Sequence, residues 1–184
     1  SESVPLSDAY GRVLTADLAA LRTQPPEALS AMDGYAVRAA DIATVPVRLK
    51  IIGEVAAGHP FPGAVVSGEA ARIFTGGVLP PGTDTIVIQE NTVREGDIVL
   101  VNNTADRGKH VRVAGLDFVR GDIPLQKGRR LSDRDLALAA AMNHPTVPVH
   151  CRPKVAVLAT GDELIMPGTV PGPGEIVYSN GFAT

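Results

Sequence analysis

Three short segments of the sequence combine acidic or hydroxyl side chains with glycine, and each offers groups that bind ions. The first is Thr160-Gly161-Asp162-Glu163, where two adjacent acids follow an apolar run. Proteins commonly hold Mg²⁺ with one or two carboxylates, together with waters and substrate phosphates. Asp162 and Glu163 are therefore candidate metal ligands. The same spacing also suits an Asp that caps a following turn, and spacing alone does not decide between the two interpretations.

The second segment is Thr75-Gly76-Gly77, within "RIFTGGVLPPGTD" at residues 72–84. Its backbone N–H groups and the Thr75 hydroxyl can receive an oxyanion. The segment lacks the Lys-Ser/Thr ending of a nucleotide-binding P-loop, so the specific phosphate motif is absent. A plain hairpin connection is the simpler alternative.

The third segment is "SAMDGYA", residues 30–36, which contains Asp33, Gly34 and Tyr35. Asp-Gly is common in turns, and Tyr35 can cover the edge of a core, so a turn is the simplest interpretation. The alternative is one wall of a binding cleft, in which Gly34 allows a close backbone turn beside Asp33.

Cysteine and histidine usage excludes several kinds of site. The single cysteine, Cys151, excludes an internal disulfide and a Cys-rich zinc site, and it fits a reducing cytoplasm. The four histidines show no two-His helical spacing, which argues against a His-based zinc site. The hydrolase pattern GxSxG does not occur.

Charge and hydropathy argue against two classes of partner. A net charge of −3 and an aromatic content of 4% provide neither a basic field nor stacking platforms, so we expect no nucleic-acid partner. The longest apolar windows are too short to span a bilayer, and the N-terminus has no signal-peptide pattern, so we expect no membrane partner.

The spacing of apolar residues changes along the chain, and it predicts different elements to position these segments. Ser7 and Asp8 predict the cap of a first helix that carries Val13, Leu14 and Leu18. The middle of the chain alternates polar and apolar residues, which predicts a β-rich unit of roughly a hundred residues. Its predicted strands are "VPVRLKIIGEVAAG", "AARIFTGG", "DTIVIQENTV", "IVLV" after a hairpin turn at "REGD", and "KHVRVAG".

Ser132 and Asp135 predict a capping box, and Leu131 and Leu136 a hydrophobic staple, at the start of a second helix. This helix should end before His144-Pro145, with a short strand at "TVPV" beyond it.

The apolar run Val155–Ala159 predicts a strand that is buried on both faces and opens a parallel α/β sheet. Thr160-Gly161-Asp162-Glu163 would then lie at the carboxyl end of that strand, the usual ligand-binding edge of such a sheet. A parallel sheet needs crossover helices and further strands, and only 21 residues follow Glu163. We therefore expect only the truncated start of this domain.

Six segments in one order resemble the N-terminal portion of the MoeA family, the molybdopterin molybdenumtransferases, to which the C-terminal domain of gephyrin is related. They are "SAMDGYAVRAAD", "IGEVAAG", "RIFTGGVLPPGTDTIVIQE", "VRVAGLDFVRGD", "RLSDRDLALAAA" and "RPKVAVLATGDEL", the last continuing through a PG to "YSNG" at residues 178–181. The resemblance implies an elongated α+β fold. A linker-like α/β first domain (1–22 and 121–150) would carry an inserted β-rich domain (23–120), followed by the truncated start of a molybdopterin-binding α/β domain (151–184).

The resemblance also implies a function in molybdenum cofactor biosynthesis. Members of the family insert molybdate into adenylylated molybdopterin with the help of Mg²⁺ and release AMP. They are homodimers whose cleft lies between the second domain of one subunit and the third domain of its partner. Expected partners are molybdopterin adenylyltransferase and molybdoenzyme maturation proteins. The chain alone should be inactive because most of the third domain is missing; the alternative is a non-catalytic, gephyrin-like scaffold module.

Motif by motif, the resemblance implies site residues of three kinds. The catalytic ones are Asp33, Thr75 and Glu163, and the metal ligands are Asp162 and Glu163. The substrate-binding ones are Gly34, Tyr35, Gly76, Gly77, Thr160, Gly161, Ser179 and Asn180. Acids suit a polyanionic substrate only where a cation offsets the charge. The chain departs from the family pattern at Glu27-Ala28-Leu29, where Phe, Asp and Asn are expected.

Overall fold

A computed structural model describes residues 1–182, which belong to two units, Ser1–His150 and Cys151–Thr184. The elements of the first unit are β1 (Glu2–Pro5), β2 (Leu29–Ser30), β3 (Gly34–Val37), β4 (Val47–Val55), β5 (Glu69–Ile73), β6 (Thr85–Ile88), β7 (Thr92–Glu95), β8 (Ile98–Val101), β9 (Val111–Arg112), α1 (Asp133–Ala141) and β10 (Thr146–Val149). The second unit contains β11 (Leu164–Ile165) and β12 (Ile176–Val177). Short 3₁₀ turns lie at Leu6–Asp8, Ala39–Ile42, Gln89–Asn91 and Asn180–Phe182.

Six strands of the first unit form one sheet in the order β6-β3-β5-β4-β8-β7, antiparallel except for the β4–β5 pair. The two edge strands, β6 and β7, are consecutive in the chain and are joined by Gln89–Asn91. In a flat sheet, five strand spacings would separate the edges by about 24 Å. Such a link spans at most about 14 Å. The sheet therefore has to curl until its edges approach each other.

The two faces of the curled sheet bury different side chains, as the two-residue period of a strand requires. One face packs around Tyr35, Val37, Ile42, Leu49, Ala70, Val87, Val99 and Val101. The opposite face packs around Ala36, Val55, Val65, Ala71, Ile73 and Ile86. Strand β3 contributes to both clusters, with Tyr35 and Val37 on one side and Ala36 on the other.

This sheet confirms most of the predicted strands. Strands β4, β6 and β8 lie within the predicted segments, β5 begins one residue before its segment, and β7 extends two residues into the predicted "REGD" turn. Gly96, at φ 65°, turns β7 into β8 as a hairpin. The segment "KHVRVAG" is a shorter strand than predicted. Only Val111–Arg112 pair with β2, and Val113 is exposed, because the chain leaves the strand after Arg112.

The predicted first helix is wrong. The chain forms only the 3₁₀ turn Leu6–Asp8, and Gly11 then takes the left-handed conformation. Val13, Leu14 and Leu18 form isolated β-bridges with Arg130, Val149 and Leu125 respectively. Apolar residues at helical spacing are thus paired across the chain, with partners more than 100 residues away.

The second predicted helix is confirmed as α1, including its cap. The Ser132 amide donates to Asp135 Oδ2 at 2.9 Å, and the Asp135 amide donates to Ser132 Oγ at 3.4 Å. Leu131 is buried, and Leu136 packs against the same cluster. Beyond α1 the predicted "TVPV" strand is β10, which pairs antiparallel with β1.

In the second unit, the predicted strand at Val155–Ala159 is wrong. These residues pair with no strand in the described part of the chain, and Val155 and Leu158 are exposed. A strand that is buried on both faces needs neighbouring strands and covering helices, and the described residues supply none here. The unit instead contains the short parallel pair β11–β12.

The elements together confirm the α+β fold class with a β-rich body. The division of residues 1–150 into a linker-like domain and an inserted domain stays a prediction. Within the described residues, no helix is long and apolar enough to cross a bilayer.

Candidate functional site

The structure brings Asp33 and Thr75 together at one end of the β3–β5 pair. Asp33 immediately precedes β3, and Thr75 follows β5 by two residues. Because β3 and β5 are antiparallel, with Gly34 opposite Ile73, the start of one strand meets the end of the other. The Thr75 amide and the Thr75 hydroxyl both donate to Asp33 Oδ1, each at 2.8 Å. Two segments separated by 42 residues thus form one polar centre.

These contacts hold Asp33 in its ionised form. The hydrogen bond from the Thr75 amide and then that from the Thr75 hydroxyl lower the pKa of Asp33 below its ordinary value. Burial opposes them, and the positive charge of Arg72 lowers the pKa by the smallest amount. Asp33 Oδ2 accepts no hydrogen bond from residues 1–182, while Thr75 is exposed. The centre therefore presents a fixed carboxylate oxygen that can accept a hydrogen bond or contact a cation.

The backbone amides of the Thr75-Gly76-Gly77 segment are already used within the protein. The Thr75 amide donates to Asp33, the Gly76 amide to the Ser30 carbonyl at 2.9 Å, and the Gly77 amide to the Phe74 carbonyl at 2.9 Å. Because of this, the expectation that these N–H groups receive an oxyanion does not hold. Their bonds instead tie the segment to the strand that leads to Asp33.

Gly34 and Tyr35 are buried in β3. A Cβ added to Gly34 would lie 2.0 Å from the Val87 carbonyl oxygen, so glycine is required by the close approach of β6. The tight turn expected beside Asp33 is therefore not the reason for a glycine at this position. The Tyr35 side chain is 4% exposed, with its ring beneath the Arg72 guanidinium. Their substrate-binding roles stay predictions.

Arg72 is a residue of the site that the sequence interpretation missed. Its guanidinium carbon lies 5.2 Å from the Tyr35 ring centroid and 4.9 Å from that of Phe74. It donates to the Gly34 carbonyl at 3.1 Å and to Gln89 Oε1 at 2.7 Å, while the Gln89 amide donates to the Asp33 carbonyl at 3.1 Å. Arg72 thus fixes the backbone that carries Asp33.

A sequence signal for Arg72 did exist. In the alternation of β5, Arg72 shares a face with Ala70, which belongs to the sheet interior. A charged residue at an interior-facing position needs a partner. The sequence alone does not show that the partners are two aromatic rings and a carbonyl.

In the second unit, Thr160, Gly161, Asp162 and Glu163 are exposed, and they lie before the amino end of β11. The predicted position at the carboxyl end of a buried strand is therefore wrong. The Ile176 amide donates to the Glu163 carbonyl at 2.7 Å, which fixes the backbone there. Ser179 and Asn180 follow β12, at the start of the last 3₁₀ turn. The Asp33–Thr75 centre belongs to the first unit.

The acid pair fits one type of metal site only. Among residues 1–182 there is no group of three or more His, Cys, Asp or Glu side chains arranged for a metal. Asp162 and Glu163 supply adjacent carboxylate oxygens, and no hydrogen bond or ion pair involves either side chain within the described residues. This donor set suits a hard cation such as Mg²⁺ that completes its coordination with waters and phosphate oxygens.

The family model of the MoeA N-terminal region (domain I and II) matches residues 1–143. The chain belongs to the MoeA family. The resemblance predicted from the six segments is thereby confirmed.

Two curated relatives and one solved structure show how much of a MoeA protein the chain covers. The molybdopterin molybdenumtransferase of Nostoc sp. is 39% identical over the whole chain, which spans 43% of that protein. Molybdopterin molybdenumtransferase 2 of Mycobacterium tuberculosis is 39% identical over 97% of the chain and 45% of the relative. The molybdopterin biosynthesis MoeA protein of Pyrococcus horikoshii superposes with a TM-score of 0.91 at 36% identity, over 99% of the chain and half of that structure.

The chain thus spans about half the length of these MoeA relatives. The departure at Glu27-Ala28-Leu29 lies beside the site. The Ala28 carbonyl accepts from the Leu79 amide at 2.9 Å, and Leu29 opens β2. The backbone of this segment is therefore bound into the β-rich body despite the change in side chains.

Proposed function

We propose that the protein acts in molybdenum cofactor biosynthesis as a molybdopterin molybdenumtransferase, inserting molybdate into adenylylated molybdopterin with release of AMP. Membership of the MoeA family and the printed names of the relatives support this assignment. The observation that carries it is the Asp33–Thr75 centre, where two family motifs meet in one hydrogen-bonded arrangement. The residues 1–184 alone are expected to be inactive.

Asp33 is the group whose chemistry follows from this geometry. Its carboxylate is ionised, Oδ1 is held by both Thr75 donors, and Oδ2 can accept a hydrogen bond. We assign Asp33 to orienting a proton-bearing group of the substrate complex and Thr75 to holding Asp33 in place. Gly76 and Gly77 keep Thr75 in register, because their amides are bonded to Ser30 and Phe74.

We assign Asp162 and Glu163 to Mg²⁺, with Glu163 also catalytic. The ion would supply positive charge to the phosphate of departing AMP. The oxygen-only donor set supports this choice. Thr160, Gly161, Ser179 and Asn180 are proposed to contact the substrate.

Location and assembly form part of the same proposal. We place the reaction in the cytoplasm, since a single cysteine suits a reducing compartment. We propose that the protein acts as a homodimer that receives its substrate from molybdopterin adenylyltransferase and delivers its product to molybdoenzyme maturation proteins.

The test uses the full-length protein with adenylylated molybdopterin, molybdate and Mg²⁺, and measures AMP release and molybdenum incorporation together. We expect both products, loss of both without Mg²⁺, and none from residues 1–184 alone. Equal turnover after Mg²⁺ removal would contradict the metal assignment.

The alternative is a scaffold module without activity, and the departure at Glu27-Ala28-Leu29 favours it. To separate the two, we would restore Phe-Asp-Asn at positions 27–29 in the full-length protein. A protein that is inactive both before and after this restoration would support the scaffold alternative. Activity in the unmodified protein would exclude it.

A further inference from the structure

Two adjoining cavities open at one end of the curled sheet and share Arg72 and Arg94 in their walls. The larger, about 530 Å³, is also lined by Ile51, Ile52, Gly53, Glu54, Gly96 and Asp97. The smaller, about 380 Å³, is lined by Tyr35, Arg72, Gln89, Thr92 and Arg94; we call it the arginine groove. The mouth of a curled sheet is a common place for a small-ligand site.

Positive charge in the arginine groove is not offset by a carboxylate among its lining residues. Neither Arg72 nor Arg94 forms an ion pair with another residue in the part of the chain that the structure describes. Glu95, the neighbour of Arg94, pairs with Arg48 at 2.7 Å instead. The acids Glu54 and Asp97 line only the larger cavity. The charge of the groove therefore favours an anion.

Donor groups are also left over. A guanidinium has five N–H donors. Arg72 uses two, to the Gly34 carbonyl and to Gln89 Oε1, and Arg94 uses one, from Nε to the Gly96 carbonyl at 3.0 Å. Three N–H groups of Arg72 and four of Arg94 therefore remain for a ligand.

The Arg72 guanidinium is also held in place before any ligand arrives. Its faces contact the Tyr35 and Phe74 rings, and two of its N–H groups are bonded. A group that is already ordered loses little conformational entropy when it binds a ligand. Two guanidiniums, one of them pre-ordered, match the geometry of an anion with several equivalent oxygens.

From these observations, the structure assigns the arginine groove as a binding site for a tetrahedral oxyanion, either free phosphate or the terminal group of a phosphate monoester. The groove adjoins the Asp33–Thr75 centre through Arg72 and Gln89, but neither Asp33 nor Thr75 lines it. It goes beyond the proposed function, and its occupancy can be measured without turnover.

The experiment is an NMR titration of the 184-residue chain with inorganic phosphate at constant ionic strength. It follows the arginine Nε–Hε signals and the backbone amides. We expect saturable shifts at Arg94, Thr92 and Gln89. Arg94→Met should weaken binding about tenfold, since hydrogen bonds to charged groups have this strength, and Arg94→Lys should restore part of the affinity because it keeps the charge without the fork.

The matched control is Arg134→Met, which removes the same charge from an exposed position on α1. It should leave phosphate affinity within twofold. Absence of saturable shifts at Arg94, or an equal loss in Arg134→Met, would overturn the assignment. If Arg94→Met alters amide signals far from the groove, the location of the wild-type shifts decides the question.

Further titrations with AMP and molybdate distinguish the source of the oxyanion. Tighter binding of AMP than of phosphate would assign the groove to a phosphate monoester. If phosphate, AMP and molybdate all bind with equal affinity, the groove is assigned to free tetrahedral oxyanions. None of these measurements needs catalysis. A groove that binds no phosphate therefore leaves the proposed transferase activity open, and an inactive full-length protein leaves the phosphate site open.

Discussion

The sequence predicts comparable functional roles for two pairs of residues, Asp33 with Thr75 and Asp162 with Glu163. The structure constrains the two pairs very differently. Asp33 lies at the junction of two paired strands, with both Thr75 donors on Oδ1 and with Arg72 and Gln89 fixing its backbone. Asp162 and Glu163 are exposed residues beside a parallel pair of only two residues per strand.

The difference shows that a sequence motif with suitable side chains does not by itself fix their positions. Asp33 is positioned by long-range strand pairing, so its geometry is a property of the sheet. The backbone of the acid pair has one described constraint from outside its own turn, the bond from the Ile176 amide to the Glu163 carbonyl. We therefore expect substitutions in the first unit to act through structure and in the second chiefly through chemistry.

The largest expected effect is that of Gly34→Ala, which places a methyl group 2.0 Å from the Val87 carbonyl oxygen. The strands cannot both keep their pairing, so the free energy of unfolding should fall by about 3 kcal/mol. Chemical denaturation followed by circular dichroism measures this, since the chain has no tryptophan.

The matched substitution in the second unit is Gly172→Ala, whose methyl group meets only the flexible Glu175 carboxylate at 3.3 Å. It should change stability by less than about 0.5 kcal/mol. Equal losses from the two substitutions would remove the distinction between the units.

Charge removal tests the chemistry that the two regions share. Asp33→Asn and Glu163→Gln should each lower molybdenum transfer by the full-length protein about a hundredfold, as loss of a group that handles protons or charge does. The melting temperature should stay the same in Glu163→Gln and fall slightly in Asp33→Asn, because the ionised Asp33 carboxylate accepts both Thr75 hydrogen bonds. The exposed acid Asp8 provides a control, and Asp8→Asn should retain activity within twofold. A wild-type rate in either variant would remove that residue from the site.

A smaller effect is expected from Ser132→Ala, which removes the side-chain acceptor that caps α1 in the first unit. Loss of such a cap costs about 1 kcal/mol. Urea denaturation should show this loss, whereas Ser179→Ala in the second unit should leave the transition unchanged. An unchanged midpoint in Ser132→Ala would mean that Asp135 and Arg129 hold the helix start by themselves.

Acid titration gives the most local test. The Arg129 hydrogen bond, followed by those from Ser132, lowers the pKa of the buried Asp135, and Thr75 lowers that of Asp33. A carboxyl whose folded pKa is lowered stabilises the fold above its unfolded pKa, and this contribution is lost as pH falls through the lowered value. Stability should therefore decline below about pH 4.

Thr75→Val keeps the amide donor but loses the hydroxyl, so the pKa of Asp33 should rise part of the way toward its ordinary value. Carbon-detected NMR of the carboxyl groups measures this, and Asp135 should titrate as in the parent chain. An unchanged pKa of Asp33 in Thr75→Val would show that the Thr75 hydroxyl does not contribute to lowering that pKa.

Local patterns were enough to predict much of the fold. Alternation identified β4 and the strands around it, and the Ser132–Asp135 box marked the start of α1, because both signals arise within a few residues. The sequence also selected Gly34, but for a different reason: the close neighbour is β6, which the chain reaches about fifty residues later.

What failed depended on distant partners. Val13, Leu14 and Leu18 have helical spacing, but their bonds run to residues 125–149. The apolar run at 155–159 predicts burial only if other strands flank it, and the described chain has none there. Arg72 was missed for the same reason, since the Tyr35 ring and the Gly34 carbonyl are adjacent to it only after β3 and β5 pair.

The connection Gln89–Asn91 has a consequence for how this protein can vary. It joins the two edges of the sheet, and its first residue touches both Arg72 and the main chain of Asp33. One inserted residue would displace Gln89 by roughly 3.5 Å. Homologues should therefore keep this connection constant in length, while the exposed tip at residues 57–60 can lengthen freely.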